Sequence, residues 1–377
     1  MLVSRRNFLK TTLGSAFLLG YPQLSYSAQD LGNRRLIIVL LRGGLDSLSA
    51  LPPVGDKDFG PLRRTIQINN PEKLDGIFSI NPALNFMRKE YLEDRSAFVH
   101  ATSFPYTGRS HFDGQNLMEA GSPAPNMVTT GWVGRAMSAA KLGSVAFSLP
   151  IPLILRGNQE ATNHFPTEFM SAPDPIYSAL YDDWHKDPSF ADVAEKLNVK
   201  HAMNVRGRSQ TLLVSFASNQ MSKENGPRVG LLDLVGFDTH ALQGNEGGNQ
   251  SNMIRQIDMI MSDLRLQMSK FWNDTIVVTV TEFGRTASEN GTKGTDHGYA
   301  SCIMLAGGLL KKAQVVTDWP GLKPSSLYEG RDLKMTIDAR DIYSEVVSKV
   351  FNLDPDRVSK EVFLGYKPRK DWGLLRS

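Results

Sequence analysis

Arg35-Leu-Ile-Ile-Val-Leu-Leu41 runs six apolar residues in a row. A strand with one wet face alternates apolar and polar side chains. An unbroken apolar run instead reads as a strand covered on both faces, as in a parallel sheet clad by helices. Four further runs read as strands: Ser96 to Ala101, Arg228 to Val235, Thr275 to Thr281 and Ser301 to Ala306. Helical periodicity lies between and after them. It is clearest from Ser251 to Trp272, where Met253, Ile254, Ile257, Ile260, Met261, Leu264 and Met268 share one face, and it returns from Asp341 to Phe351. Strands alternating with helices predict an α/β fold, a mostly parallel sheet with helices on both sides. Pro52 to Pro82, Gly121 to Thr130 and Arg156 to Pro175 are rich in Pro, Gly and Asn and read as long surface loops or small excursions. Nothing marks a clean internal boundary, so residues 29–377 are read as a single domain.

Residues 1–28 read as an export signal. Arg5-Arg6 with Phe8-Leu9-Lys10 precedes a short apolar stretch from Thr11 to Gly20, and small residues follow at Ser25, Ser27 and Ala28. The pattern resembles a twin-arginine signal, cleaved near Ala28. Such a signal implies delivery of a folded chain by the twin-arginine export machinery, to the periplasm or the exterior. Its removal takes away three cations and no acid, which brings the net charge of +3 to zero. A neutral chain has no electrostatic footprint for nucleic acid. No later apolar run is long enough to span a bilayer stably. Cys302 is the single cysteine. An internal disulfide, a cysteine-ligated iron–sulfur cluster and a C-x-x-C-H haem site are all excluded. Any resident cofactor must be held by oxygen and nitrogen.

Ligands in open α/β sheets gather beyond the carboxyl ends of the strands. Gly43-Gly44-Leu45-Asp46 follows the first run, and Arg109-Ser110-His111-Phe112-Asp113 follows the second. Asp238 and His240 follow the third, Glu282 and Arg285 follow the fourth, and Asp296-His297 precedes the fifth. Clustered carboxylates repel one another and are costly to desolvate, and a divalent cation relieves both problems. Mixed carboxylate and imidazole donors suit Zn, Mn or Fe better than Ca or Mg. Each residue also has an ordinary reading. Asp238 and Asp296 can cap or turn the chain, Asp113 can balance Arg109, and Ser110 can cap the helix that starts near Phe112. His164, His185 and His201 read as ordinary polar histidines, and His100 as a core or supporting one.

Taken together, Gly43-Gly44-Leu45-Asp46, Ser110-His111-Phe112-Asp113-Gly114-Gln115, Gly236-Phe237-Asp238-Thr239-His240, Glu282-Phe283-Gly284-Arg285-Thr286 and Gly294-Thr295-Asp296-His297-Gly298 resemble a family of exported bacterial proteins. That family carries twin-arginine signals and a domain of unknown function, within the alkaline phosphatase and sulfatase superfamily. The resemblance runs from about Arg35 to about Gly365. It implies a three-layer α/β/α sandwich, one or two divalent metals and a nucleophilic side chain near the second strand. It makes Asp46 the first-strand ligand and Asp238 and His240 the pair after the middle strand. Their Asp-x-His spacing departs from the longer Asp-x-x-x-His of phosphatases. Glu282 then stands for a strand-end aspartate, and Asp296-His297 supplies the last ligand. Ser110 is the candidate nucleophile, with His111 beside it, and Arg109 or Arg285 would hold an anion. No Cys/Ser-x-Pro-Ser-Arg context surrounds Ser110 or Cys302, which disfavours a sulfatase of the modified-cysteine type. The implied activity is metal-dependent hydrolysis of a phosphate ester or related small anionic ester. The alternative is a non-catalytic binding or assembly protein on the same scaffold.

Overall fold

The computed structural model describes residues 32–148, 150–163 and 210–376. The signal at 1–28 and His164, His185 and His201 lie outside them.

The strands are β1 Arg35–Arg42, β2 Glu72–Lys73, β3 Ser79–Ile80, β4 Ser96–Ser103, β5 Ser144–Ala146, β6 Ala161–Asn163, β7 Val229–Val235, β8 Thr275–Thr281, β9 Ser301–Ala306, β10 Val315–Val316 and β11 Ile337–Asp338. Nine of them form one sheet in the order β10-β4-β9-β8-β1-β7-β5-β6, with β11 also paired to β4, while β2 and β3 form a small hairpin. β1 lies at the centre, parallel to both β7 and β8, with Val39 opposite Leu232 and Thr279. Its burial on both faces is literal. Leu36, Ile38 and Leu40 join one core, and Ile37, Val39 and Leu41 join the other.

Helices cover each core. On the first side lie α2 His111–Ala120, α3 Trp132–Ala140 and α6 Ala339–Phe351; on the second lie α1 Asn85–Leu92, α4 Gln210–Met221 and α5 Asn249–Gln267. The three-layer α/β/α arrangement is therefore present. α2 ends at Gly121 in the left-handed region (φ 61°), and α6 starts on Asp338, whose side chain accepts from the Arg340 N–H. The helix expected from Ser251 to Trp272 begins two residues earlier and stops at Gln267. A 3₁₀ turn, Ser269–Asp274, takes over there.

β9 is the exception to the parallel rule: it runs antiparallel to both β4 and β8. The reason lies in the connection. A parallel return needs a crossover, usually a helix. Residues 282–300 contain turns and an isolated bridge between Arg285 and His297, but no helix. The chain re-enters the sheet from the edge it left. Consequently the carboxyl ends of β1, β4, β7 and β8 and the start of β9 all meet at one edge. No helix among the described residues is long and apolar enough to cross a membrane.

Candidate metal centre

Three imidazoles converge on Asp238. His240 Nε2 and His297 Nε2 lie 3.0 and 3.1 Å from Asp238 Oδ1, and His111 Nε2 lies 3.4 Å from Oδ2. The Nε2 atoms of His240 and His297 are 3.0 Å apart. Donor atoms of His111, Asp238 and His297 all fall within 4.8 Å of one another.

The far nitrogen of every ring is engaged. His111 Nδ1 is 2.8 Å from Glu282 Oε1, His240 Nδ1 is 3.0 Å from Asp296 Oδ1, and His297 Nδ1 is 2.8 Å from the Arg109 carbonyl. A carboxylate and a carbonyl only accept, so each Nδ1 carries the proton. In the neutral rings each Nε2 then presents a lone pair toward Asp238 and toward its neighbours. His111 Nε2 is buried with no hydrogen-bond partner. Lone pairs gathered around a carboxylate repel one another unless a cation sits among them. Rings held at one nitrogen by a carboxylate or carbonyl, with the other nitrogen free, are the usual form of metal-ligating histidine. The residues present therefore fit a divalent ion with a His₃Asp donor set, a set suited to Zn, Mn or Fe.

The elements explain the positions. His111 opens α2, and Gln115, one turn on, shares its face. Gln115 Nε2 donates to Glu282 Oε1 at 3.1 Å, and the Gly43 N–H donates to the same oxygen at 2.8 Å. Gly43 needs its missing side chain. It has φ 116°, and a Cβ would meet the Asp238 nitrogen at 2.5 Å. Phe283 walls the rings from below, with its centroid 5.0 Å from His111 and 5.2 Å from His297. A cleft of about 460 Å³ opens beside Asp238 and His240, lined also by Thr239, Asn249, Asn252 and Met253.

Electrostatics follow the contacts. The hydrogen bond to Glu282 raises the pKa of His111 against the pull of burial. Burial lowers that of His297, helped by the nearby charges of His111 and Arg285. Burial pushes the carboxyls of Asp238 and Glu282 up. Arg285 with the neighbouring imidazoles together outweigh it at Asp238, and the hydrogen bonds from His111, Gln115 and the backbone together outweigh it at Glu282, so both end below their ordinary range.

Several expected roles change. Glu282 is fully buried, and its Oε1 is taken by His111, Gln115 and Gly43; it orients the His111 ring rather than facing the cluster. Asp296 does the same for His240. His111, expected beside the nucleophile, faces the cluster instead. Asp46 is 1 % exposed and stands apart, paired with Arg63. Arg285 is buried, bonded through Nη1 to Asp238 at 2.6 Å and to the Gly43 carbonyl, and through its other nitrogens to Thr295. The Arg109 guanidinium is bound to Asp332 and Glu329, and only the Arg109 carbonyl reaches the site. Neither arginine is free to hold an anion. Asp113 bonds to Asn126, not to Arg109. Ser110 precedes α2 in an extended conformation, but its side chain makes no capping bond. His100 is a core histidine. It stacks on Phe78, and burial pushes its pKa down to about 4. Cys302 is buried within β9, and burial raises its thiol pKa.

Sequence reading quoted Gln115 and Phe283 within motifs but gave them no role, and it missed Gln243 and Arg63. Gln115 was findable, four residues beyond His111 on a helix. Arg63 was not, because nothing local links it to Asp46.

A family model described as a protein of unknown function (DUF1501) matches residues 185–363. That span holds Asp238, His240 and His297 but neither Asp46 nor His111. No curated protein matches the chain. Among solved structures, the chain is similar to the zinc complex of the C-terminal periplasmic domain of EcEptC from Escherichia coli, at 11 % identity over 90-odd per cent of both (94 % of this chain and 96 % of that one; TM-score 0.43). It is also similar to the PsFucS1 sulfatase from Pseudoalteromonas sp., at 12 % identity over 99 % of this chain and 78 % of that one (TM-score 0.41). A third similar structure is murine ectonucleotide pyrophosphatase/phosphodiesterase 5 with AMP, at 10 % identity over 85 % of this chain and 96 % of that one (TM-score 0.37).

Proposed function

We propose that the chain is a metal-dependent hydrolase of a phosphate ester or related small anionic ester. The observation that carries this reading is the convergence of three Nε2 atoms and the Asp238 carboxylate, each ring held from behind. His111, His240, His297 and Asp238 would hold the ion, which when bound would supply Lewis-acid polarisation of an ester oxygen.

The rest is the work of the chain. Glu282, Asp296 and the Arg109 carbonyl fix the ring orientations. Arg285 keeps Asp238 ionised and in place. The first backbone N–H groups of α2, left without helical partners, would be available to an anion, which partly offsets the engagement of both arginines. Ser110, at that same terminus, is the nucleophile in this reading. Its Oγ forms a bond to the central phosphorus as the ester P–O bond breaks. The serine proton passes to solvent, and the departing alkoxide takes one up. Water then cleaves the seryl ester and restores the hydroxyl. The cleft beside His240 admits the leaving group.

The metal-loaded chain is expected to hydrolyse at least one member of a panel of phosphomonoesters, phosphodiesters and sulfate esters. Ser110→Ala should abolish this with metal content intact. A second reading, a non-catalytic binding or assembly protein, is favoured by one observation: the guanidinium groups of Arg109 and Arg285 are both bound to carboxylates. A fully loaded chain inert across the panel decides for it. We further propose export through the twin-arginine route, supported by Arg5-Arg6 ahead of a short apolar stretch. Replacing both arginines by lysine should retain the chain in the cytoplasm.

A further inference from the structure

Asp46 closes the loop after β1, the strand next to β7, whose exit carries Asp238. Both its oxygens are occupied. Arg63 Nη1 donates to Oδ2 at 2.6 Å and Nη2 to Oδ1 at 3.0 Å; Ser49 Oγ and Gln243 Nε2 donate to Oδ2 at 2.7 and 2.6 Å. Arg63 is itself 1 % exposed. Its remaining reach goes to two carbonyls, Ala287 at 2.7 Å and Thr286 at 2.8 Å.

We infer that the chain binds a single metal ion, with the Arg63 guanidinium as a built-in cation where a second ion would otherwise meet Asp46. The inference rests on the metal-centre reading above and disagrees with the two-metal arrangement that the sequence resemblance allows. A buried carboxylate needs a cation or a set of donors. Here a planar fork supplies both, matched to the carboxylate on two edges. An incoming metal ion would have to expel a guanidinium that is 1 % exposed and also held by the Ala287 and Thr286 carbonyls. Removing one member of such a pair strands the other at large cost.

The same guanidinium does a metal ion's structural work. Through Asp46 it holds the loop after β1, and through Thr286 and Ala287 it holds the segment that leads to His297. Gln243 brings in the third loop. Its Oε1 accepts from Thr239 Oγ1 at 3.0 Å and Thr295 Oγ1 at 2.7 Å, while its Nε2 donates to Asp46. The loops carrying Gly43, His240 and His297 are thus cross-linked without an inorganic ion.

Counting metal tests this. The purified chain is stripped with chelator, loaded with excess Zn²⁺, desalted and measured by plasma mass spectrometry. About one equivalent per chain is expected. His111→Ala or His297→Ala should bring it near zero, and Asp46→Asn should leave it at one. Two equivalents in the wild-type chain, or a loss of metal in Asp46→Asn, overturns the single-ion inference while leaving the metal centre standing. No bound zinc in the wild-type chain removes the metal centre itself. The wild-type count decides the matter even where a variant does not fold.

Discussion

Asp46 and Asp238 are the same residue type, placed at the exits of neighbouring parallel strands, and they meet opposite fates. Asp46 is 1 % exposed and saturated by Arg63, Ser49 and Gln243. Asp238 is 40 % exposed on its side chain, held by one guanidinium, and faces three imidazole lone pairs. One region is closed on itself, and the other is poised for something not part of the chain. Position at a strand exit therefore does not by itself leave a carboxylate open; what decides is whether the protein already saturates both of its oxygens.

The largest effect should come from opening the closed region. Arg63→Ala leaves the Asp46 charge buried with only two neutral donors. It should cost about 3–5 kcal/mol of stability, read from the urea midpoint with the slope unchanged. A cost near zero would mean that the pair is replaceable and the contrast is false.

Next comes a change behind the open region. Glu282→Gln keeps the volume but weakens the hold on His111 Nδ1. Metal affinity should fall about 10–100-fold with the fold intact, as measured by competition with a chromophoric chelator. Unchanged affinity would remove His111 from the donor set.

The pH response should separate the two regions more gently. Burial pushes the Asp46 carboxyl up, but Arg63, Ser49 and Gln243 outweigh it, so its folded pKa lies below the ordinary value. A depressed carboxyl contributes stability above its unfolded pKa of about 4, and that contribution is lost as pH falls through the folded value. The stability gap between the wild-type chain and Asp46→Asn should therefore be constant at neutral pH and narrow below about pH 4. A gap that widens in acid would reverse the sign and sink the assignment. The smallest effect should be that of Asp296→Asn. The His240–Asp296 pair is nearly half exposed on both sides, so water can replace the lost interaction. Metal affinity should drop only a few-fold, less than for Glu282→Gln. An equal drop would make the exposed and buried branches equivalent.

How much of this was legible beforehand varies by residue. The five runs read as strands are all strands, and the placing of Asp238 and His240 after one strand and His297 before another pointed to their convergence. The direction of β9 was hidden, since an apolar run reads the same in either direction. So was the division of labour within the site. Glu282 and Asp238 both follow a strand, and nothing local says that Glu282 turns back toward His111 and the Gly43 N–H. Arg109 and Arg285 looked free because their partners, Asp332 for one and Asp238 for the other, lie far along the chain.

The sequence by itself determined the layers: apolar runs must be covered on both faces, and amphipathic helices supply the cover. It also determined the chemistry on offer, oxygen and nitrogen donors with a single thiol. Only the tertiary structure decided which carboxylate was saturated on both oxygens and which, held by one guanidinium, kept a side facing imidazoles. That choice depends on contacts across 17 residues in one case (Asp46 to Arg63) and 59 in another (Asp238 to His297), fixed by sheet order and loop packing rather than by any local preference.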